Sequence, residues 1–442
     1  PSMLTYAKAG LVGLALLSSA EAFTLGPSSL PHQKSVRVAA CAAAPSLRTA
    51  KAGLSKARMV ASVSKASTRI EAVPTALREE FKYMIPDDGK SLKQRVADYV
   101  AAGELTAGDE HVMMNWMENY KEALTSAPAS AGDDVKFPVE EYFAALVELV
   151  HKERKRPHYF NDDKPTGQNY EEHNYCHPDS QFFDYQKFGV DFTRPMVDWP
   201  KSTIAGIENV AKIKQQLAQG DNVVFFSNHQ SESDTHCIFT LFQDQLGAEF
   251  GKLASDIVFM AGERVLRDAI VVPFSRGCNL LTVYSKKHID SEPDLKTAKM
   301  SHNQRTMKTL GMQFAKGGTC MWFAPSGGRD RRSAETGKVE PAPFDPNSVE
   351  MVRLVAEGAG AKERTHYYTM AMSTHNIFPP PTTVGGEFGE ERRVQYAQLG
   401  VAVSEEIQEL PTEGLSKPEL KALRVTRCNA AFETMVQGYK AI

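Results

Sequence analysis

Six cysteines are scattered through 442 residues, and they form no Cys-X2-Cys pair and no Cys/His cluster of zinc-binding spacing. A zinc finger and a disulfide scaffold are therefore excluded. The thiols read as reduced and structural; Cys237, closest to the motif described below, reads as a small buried hydrophobe. A formal net charge of −3 gives no excess of either sign, so a nucleic-acid-binding surface is not expected. Apolar runs long enough to cross a bilayer are also missing. The mature chain is expected to be soluble, with at most peripheral membrane contact. Acidic residues are absent from Phe23 to Arg69.

That last absence marks a leader. Residues 1–70 carry nine Lys and Arg against Glu21 alone, and the rest of the chain keeps a charge near −11. Gly10 to Leu17 is a short apolar core ending in small residues around Ala20 and Ala22. We read 1–22 as a signal peptide and 23–72, rich in Ala, Ser and basic residues, as a transit segment.

Residues 73–151 read as a helical bundle. Leu77, Phe81 and Met84 mark a first helical face, and Leu92, Val96, Tyr99 and Val100 a second. Val112, Trp116, Met117, Tyr120 and Leu124 mark a third, and Tyr142, Leu146, Leu149 and Val150 a fourth. Residues 152–200 are polar, aromatic and irregular. His173 and His177 stand four apart there, but Pro178 follows and no carboxylate has metalloprotease spacing, which favours a loop. The basic run Lys152 to Arg156 reads as a solvated helix end.

The motif that organises the rest is Ser227-Asn228-His229-Gln230-Ser231-Glu232-Ser233-Asp234. Asn222 to Phe226 before it reads as a buried strand, and Thr235 to Phe242 after it as a helix. His229 and Asp234, five apart, would diverge by roughly 140° on one continuous helix. With His229 in the turn and Asp234 in the first helical turn, the carboxylate can reach the ring. One nitrogen is then held and the other left free as a general base. Asn228 serves either the turn or an oxyanion.

Two further strand ends carry cations. Leu280 to Ser285 reads as a strand leading to Lys286, Lys287 and His288, and Cys320 to Ala324 as a strand opening into Pro325-Ser326-Gly327-Gly328-Arg329-Asp330-Arg331-Arg332. The glycines admit close backbone approach, and arginines can grip a phosphate in a bidentate manner. Arg332, His302 and Arg305 read as surface or structural groups.

The His-X4-Asp motif resembles that of the glycerolipid acyltransferases. Asn-His-Gln-Ser-Glu-Ser-Asp and Pro-Ser-Gly-Gly-Arg-Asp-Arg, with Val258 to Val265, Pro341 to Asp345 and Ile377 to Pro381, resemble the soluble plastid glycerol-3-phosphate acyltransferases in particular. One departure is Thr369, where the family pattern leads us to expect proline. The two-part leader resembles the presequences of algae with secondary plastids.

The resemblance implies an α/β fold, with a mixed sheet flanked by helices in residues 152–442 behind the helical bundle. It implies acyl transfer from an acyl carrier protein or coenzyme A thioester to the sn-1 hydroxyl of glycerol 3-phosphate in the plastid stroma. His229 would be the base and Asp234 its orienting partner, with Lys287, His288, Arg329 and Arg331 holding the phosphate. The hydroxyl would attack the thioester directly, so no metal or other cofactor is required. The alternatives are a lysophospholipid acyltransferase of the same superfamily, a catalytically silent lipid- or carrier-binding protein, and a metal-dependent phosphatase, for which further paired carboxylates are missing.

Overall fold

The computed structural model describes residues 84–127, 137–155, 170–171, 183–266, 268, 270–285, 289–290, 292–333, 335–380 and 391–442. The leader (1–72), the helical face at Leu77 and Phe81, the His173/His177 pair and the Lys287/His288 pair lie outside them.

Among the described residues three helices come first: α1 (Leu92–Ala101), α2 (Ala107–Thr125) and α3 (Val139–Lys155). Capping boxes start the first two. Ser91 accepts from the Gln94 amide while Gln94 accepts from the Ser91 amide, and Thr106 and Asp109 do the same. Residues 152–200, read above as irregular, instead contain a two-residue strand β1 (Tyr170–Glu171) and a helix α4 (Tyr185–Thr193). All of α4 except Gln186 and Lys187 is buried, so the polar/apolar contrast that reveals a surface helix is missing. Helix α4 is where α2 and α3 dock. Tyr120 and Tyr142 donate through their hydroxyls to the carbonyls of Phe192 (2.8 Å) and Phe188 (2.7 Å). The Tyr142 and Phe188 rings stack with centroids 4.1 Å apart.

After α4 the chain alternates: β2 (Thr203–Ala205), α5 (Ile207–Ala218), β3 (Asn222–Ser227), α6 (Asp234–Leu241), α7 (Ala248–Ser255), β4 (Val258–Gly262), α8 (Val272–Ser275), β5 (Asn279–Val283), α9 (Lys296–Lys316) and β6 (Cys320–Phe323). A small hairpin, β7 (Arg331–Arg332) and β8 (Val339–Glu340), precedes α10 (Pro346–Gly358), β9 (Thr365–Ser373), β10 (Gly400–Val403) and α11 (Lys417–Lys440).

Eight strands form one mixed sheet in the order β1-β5-β4-β6-β3-β9-β10-β2. The central five, β5 to β9, run parallel, and β1 and β10 pair antiparallel with β5 and β9. Apolar layers cover both faces. Val223 and Phe225 of β3 enter the core shared with the amino-terminal helices, whereas Val224 and Phe226 enter the core under α9, α10 and α11. Strand β9 alternates likewise, with Tyr368, Met370 and Met372 on one side and Tyr367 and Ala371 on the other. A strand buried on both faces reads as a continuous apolar run, which is why β3 stands out in the sequence. Among the described residues no helix is long and apolar enough to cross a membrane.

Candidate active site

The carboxyl ends of neighbouring parallel strands share one edge of a sheet, and three adjacent strands, β6, β3 and β9, deliver the site there. Strand β3 ends at Ser227 and releases the turn Asn228 to Ser233, β9 ends at Ser373 and is followed by Thr374, and β6 opens into the Pro325–Arg329 loop. Strand β5, parallel to β4, ends on the same edge ahead of residues 286–288.

His229 and Asp234 meet as their spacing suggests. Nδ1 of His229 lies 2.8 Å from Oδ2 of Asp234, the first residue of α6. Asp234 is buried, while the His229 side chain stays 29% exposed. The carboxylate also accepts from the amides of Gln230 (2.9 Å) and Ser231 (3.0 Å) and from the Thr374 hydroxyl (2.6 Å). Because an ionised carboxylate only accepts, this contact selects the neutral tautomer with the proton on Nδ1 and the lone pair on Nε2. Trp322 of β6 packs edge-on against the ring, with centroids 5.9 Å apart.

The turn is tied to the Arg329–Arg331 segment through Asp330. Oδ2 of Asp330 accepts from Asn228 (2.9 Å) and Gln230 (3.3 Å), and Oδ1 accepts from the Ala342 amide (2.9 Å). The Asp330 amide donates in turn to the His229 carbonyl. Burial raises the carboxyl pKa of Asp330 above its usual value, against these donors, which lower it. Arg329 and Arg331 flank a residue whose own side chain is spent on the His229 turn, so the backbone that carries the two arginines is fastened to that turn. Gly327 adopts φ +68° in the loop before Arg329, a conformation that favours glycine. Arg329 is half-buried and Arg331 exposed. Arg332 donates to the Gly337 carbonyl within the hairpin, in keeping with its reading as a surface charge.

Asn228 resolves its two readings. Its amide nitrogen donates to Asp330 Oδ2 and to the Met372 carbonyl (2.9 Å), and its oxygen accepts from the Met372 amide (2.8 Å). Both N–H donors are engaged, so it fastens the turn to β9. Gln230 does similar work, accepting from the amides of Thr374 (2.9 Å) and His375 (3.1 Å). Thr369, where proline was expected, sits inside regular β9, and its amide donates to the Ser404 hydroxyl at 2.9 Å. His302 is buried, within 3.0 Å of the Thr282 carbonyl, a structural position. Cys237 is buried and its thiol pKa is pushed well up by that burial, as expected of a packing residue. Among the described residues no cluster of three or more His, Cys, Asp or Glu side chains could hold a metal ion.

The profile of the Acyltransferase family matches residues 202–373, the span from β2 to the end of β9. The chain is 32% identical over 352 residues to the chloroplastic glycerol-3-phosphate acyltransferase of Pisum sativum, covering 79% of this chain and 71% of that protein. The chloroplastic glycerol-3-phosphate acyltransferase of Arabidopsis thaliana is 32% identical over 334 residues, or 76% and 68% of the two chains. That of Spinacia oleracea is 39% identical over 224 residues, or 51% and 46%. The chain belongs to the glycerol-3-phosphate acyltransferase family. In this member of the family, Thr374, Asp330 and Gln230 complete the surroundings of the His229–Asp234 pair, and sequence reading did not single them out. Asp330 carried a signal, lying between two arginines; Thr374, 140 residues from Asp234, carried none.

Proposed function

We propose that the protein transfers a fatty acyl group from a thioester to the sn-1 hydroxyl of glycerol 3-phosphate, giving lysophosphatidate and free carrier. The observation that carries this reading is the His229–Asp234 pair beside the Arg329–Arg331 segment at one sheet edge, in a chain of this family. Nε2 of His229 takes the hydroxyl proton as the oxygen attacks the thioester carbonyl, and Asp234 steadies the imidazolium that forms. The carrier thiolate then leaves and is reprotonated. Arg329 and Arg331, with Lys287 and His288, hold the phosphate and so place the hydroxyl against the carbonyl, which can supply a large part of the rate. All four phosphate assignments rest on the family resemblance; for Arg329 and Arg331 the bonds of Asp330 to the His229 turn add support.

The donor we propose is an acyl carrier protein thioester, and the location the plastid stroma, in line with the chloroplastic relatives and the basic leader. Residues 1–22 and 23–72 would then be removed, leaving the helices of 73–151 and the acyltransferase domain of 152–442. An acceptor panel tests the reading. With acyl carrier protein and coenzyme A donors, glycerol 3-phosphate should be acylated far faster than any lysophospholipid. Faster acylation of a lysophospholipid would transfer the protein to the other branch of the superfamily.

A further inference from the structure

Asp330 secures one side of the catalytic turn; a second buried charge secures the other. Glu232 lies between His229 and Asp234, and its carboxylate accepts from Nε of Arg392 at 2.9 Å. Nη2 of the same guanidinium donates to Asp268 at 2.8 Å. Asp268 begins the turn that enters α8, since its carbonyl accepts from the amides of Val271 and Val272. Arg392 stands over the indole of Trp116 in α2, 5.9 Å from the ring centroid, and two residues on, the Val394 amide donates to Asn119 of the same helix (2.6 Å). The side chain of Arg392 is only 6% exposed, although Glu232 is 34% exposed. Burial lowers the guanidinium pKa, but the two carboxylates outweigh it and the net shift is upward.

We propose that Arg392 is a positioning residue for the catalytic turn: through Glu232 it fixes the span between His229 and Asp234, and through Trp116 and Asp268 it ties that span to α2 and α8. The proposal rests on the acyl-transfer reading above. Two features of the geometry support it. The guanidinium spreads its donors over two carboxylates from separate segments, which lysine's compact ammonium reproduces poorly. Glu232 also lines the same pocket as Arg329, where an uncompensated carboxylate would repel an anionic acceptor. Arg392 therefore keeps the turn in register and masks a charge of the wrong sign, without touching the reacting atoms.

The test is steady-state kinetics of the full chain with glycerol 3-phosphate as the varied acceptor. Arg392→Met should lower kcat by about 10- to 100-fold, the scale of loss expected when a reacting group is displaced by about 1 Å. Arg392→Lys should recover part of that loss. The double variant Arg392→Met/Glu232→Gln should be no slower than Arg392→Met alone, because the charge left unpaired has gone. Losses that multiply in the double variant would overturn the proposal. So would an unchanged kcat with a raised acceptor KM, which would leave Arg392 the masking of Glu232 or direct acceptor binding but no positioning role. Should Arg392→Met fail to fold by circular dichroism, Arg392→Lys and Glu232→Gln, each weakening the same bond, carry the comparison. Wild-type turnover separates the two claims: an inactive wild type defeats the acyl-transfer reading, whereas an active wild type with a fully active Arg392→Met defeats the positioning role alone.

Discussion

The Thr374 hydroxyl donates to Oδ1 of Asp234 at 2.6 Å, although 140 residues separate the two. Asp234 thereby has both oxygens occupied, one by His229 and the Gln230 amide, the other by the Ser231 amide and Thr374. The carboxylate cannot rotate without breaking several bonds at once, and the imidazole inherits that rigidity.

Thr374→Val keeps the shape and removes the donor. A hydrogen bond to a charged group contributes about 1.5–3 kcal/mol, so kcat should fall roughly 10- to 100-fold. Thr374→Ser should stay within a few-fold of wild type. Rates measured at saturating acceptor decide it, and an unchanged Thr374→Val would remove Thr374 from the orienting set.

Asp330→Asn should damage two steps together. Wherever the new amide points, it faces a donor, since Asn228 and Gln230 meet one oxygen and Ala342 the other. An unsatisfied buried polar group costs about 1–3 kcal/mol. Because Asp330 joins the catalytic turn to the Arg329–Arg331 segment, kcat should fall and acceptor KM should rise, together lowering kcat/KM about 10- to 100-fold. Arg329→Ala should act mainly on KM. An Asp330→Asn enzyme with a normal KM would show that the two segments are not coupled.

Stability should fall on acidification before the carboxylates titrate. His236 is buried against Phe239 and Phe274, and burial pushes its pKa down to about 4 from 6.5. Below pH 6.5 the unfolded chain binds a proton that the folded chain refuses. The stability from neutral His236 is therefore full above 6.5 and is lost as pH falls toward 4. Between pH 7 and pH 5 this amounts to about 2 kcal/mol. His302 and His375, also lowered chiefly by burial, add in the same direction. Denaturant unfolding at the two pH values checks this. His236→Phe should flatten the dependence, and an equally steep variant would contradict the assignment.

What the sequence disclosed follows from range. Strand β3, α6 and the His229–Asp234 contact depend on residues within a few positions of each other, so periodicity and spacing suffice. The partners that make the site rigid do not: Asn228 meets Asp330 across 102 positions and Glu232 meets Arg392 across 160. Helix α4 was hidden for another reason, since burial nearly all round removes its amphipathic signature. Gly189 within it is no helix breaker here; a Cβ at that position would run into the His236 ring. Asn228 shows the limit from the other side, because its two readings differ only in whether its N–H groups are already taken.

The most direct measurement compares wild type with His229→Ala in acyl transfer to glycerol 3-phosphate, with acceptor affinity determined separately by calorimetry. Removing a general base should lower kcat by about 10²- to 10⁴-fold. Acceptor affinity should change little, since the residues proposed to hold the phosphate are others. A His229→Ala enzyme that binds the acceptor normally and turns over within threefold of wild type would contradict the assignment of His229 as the base.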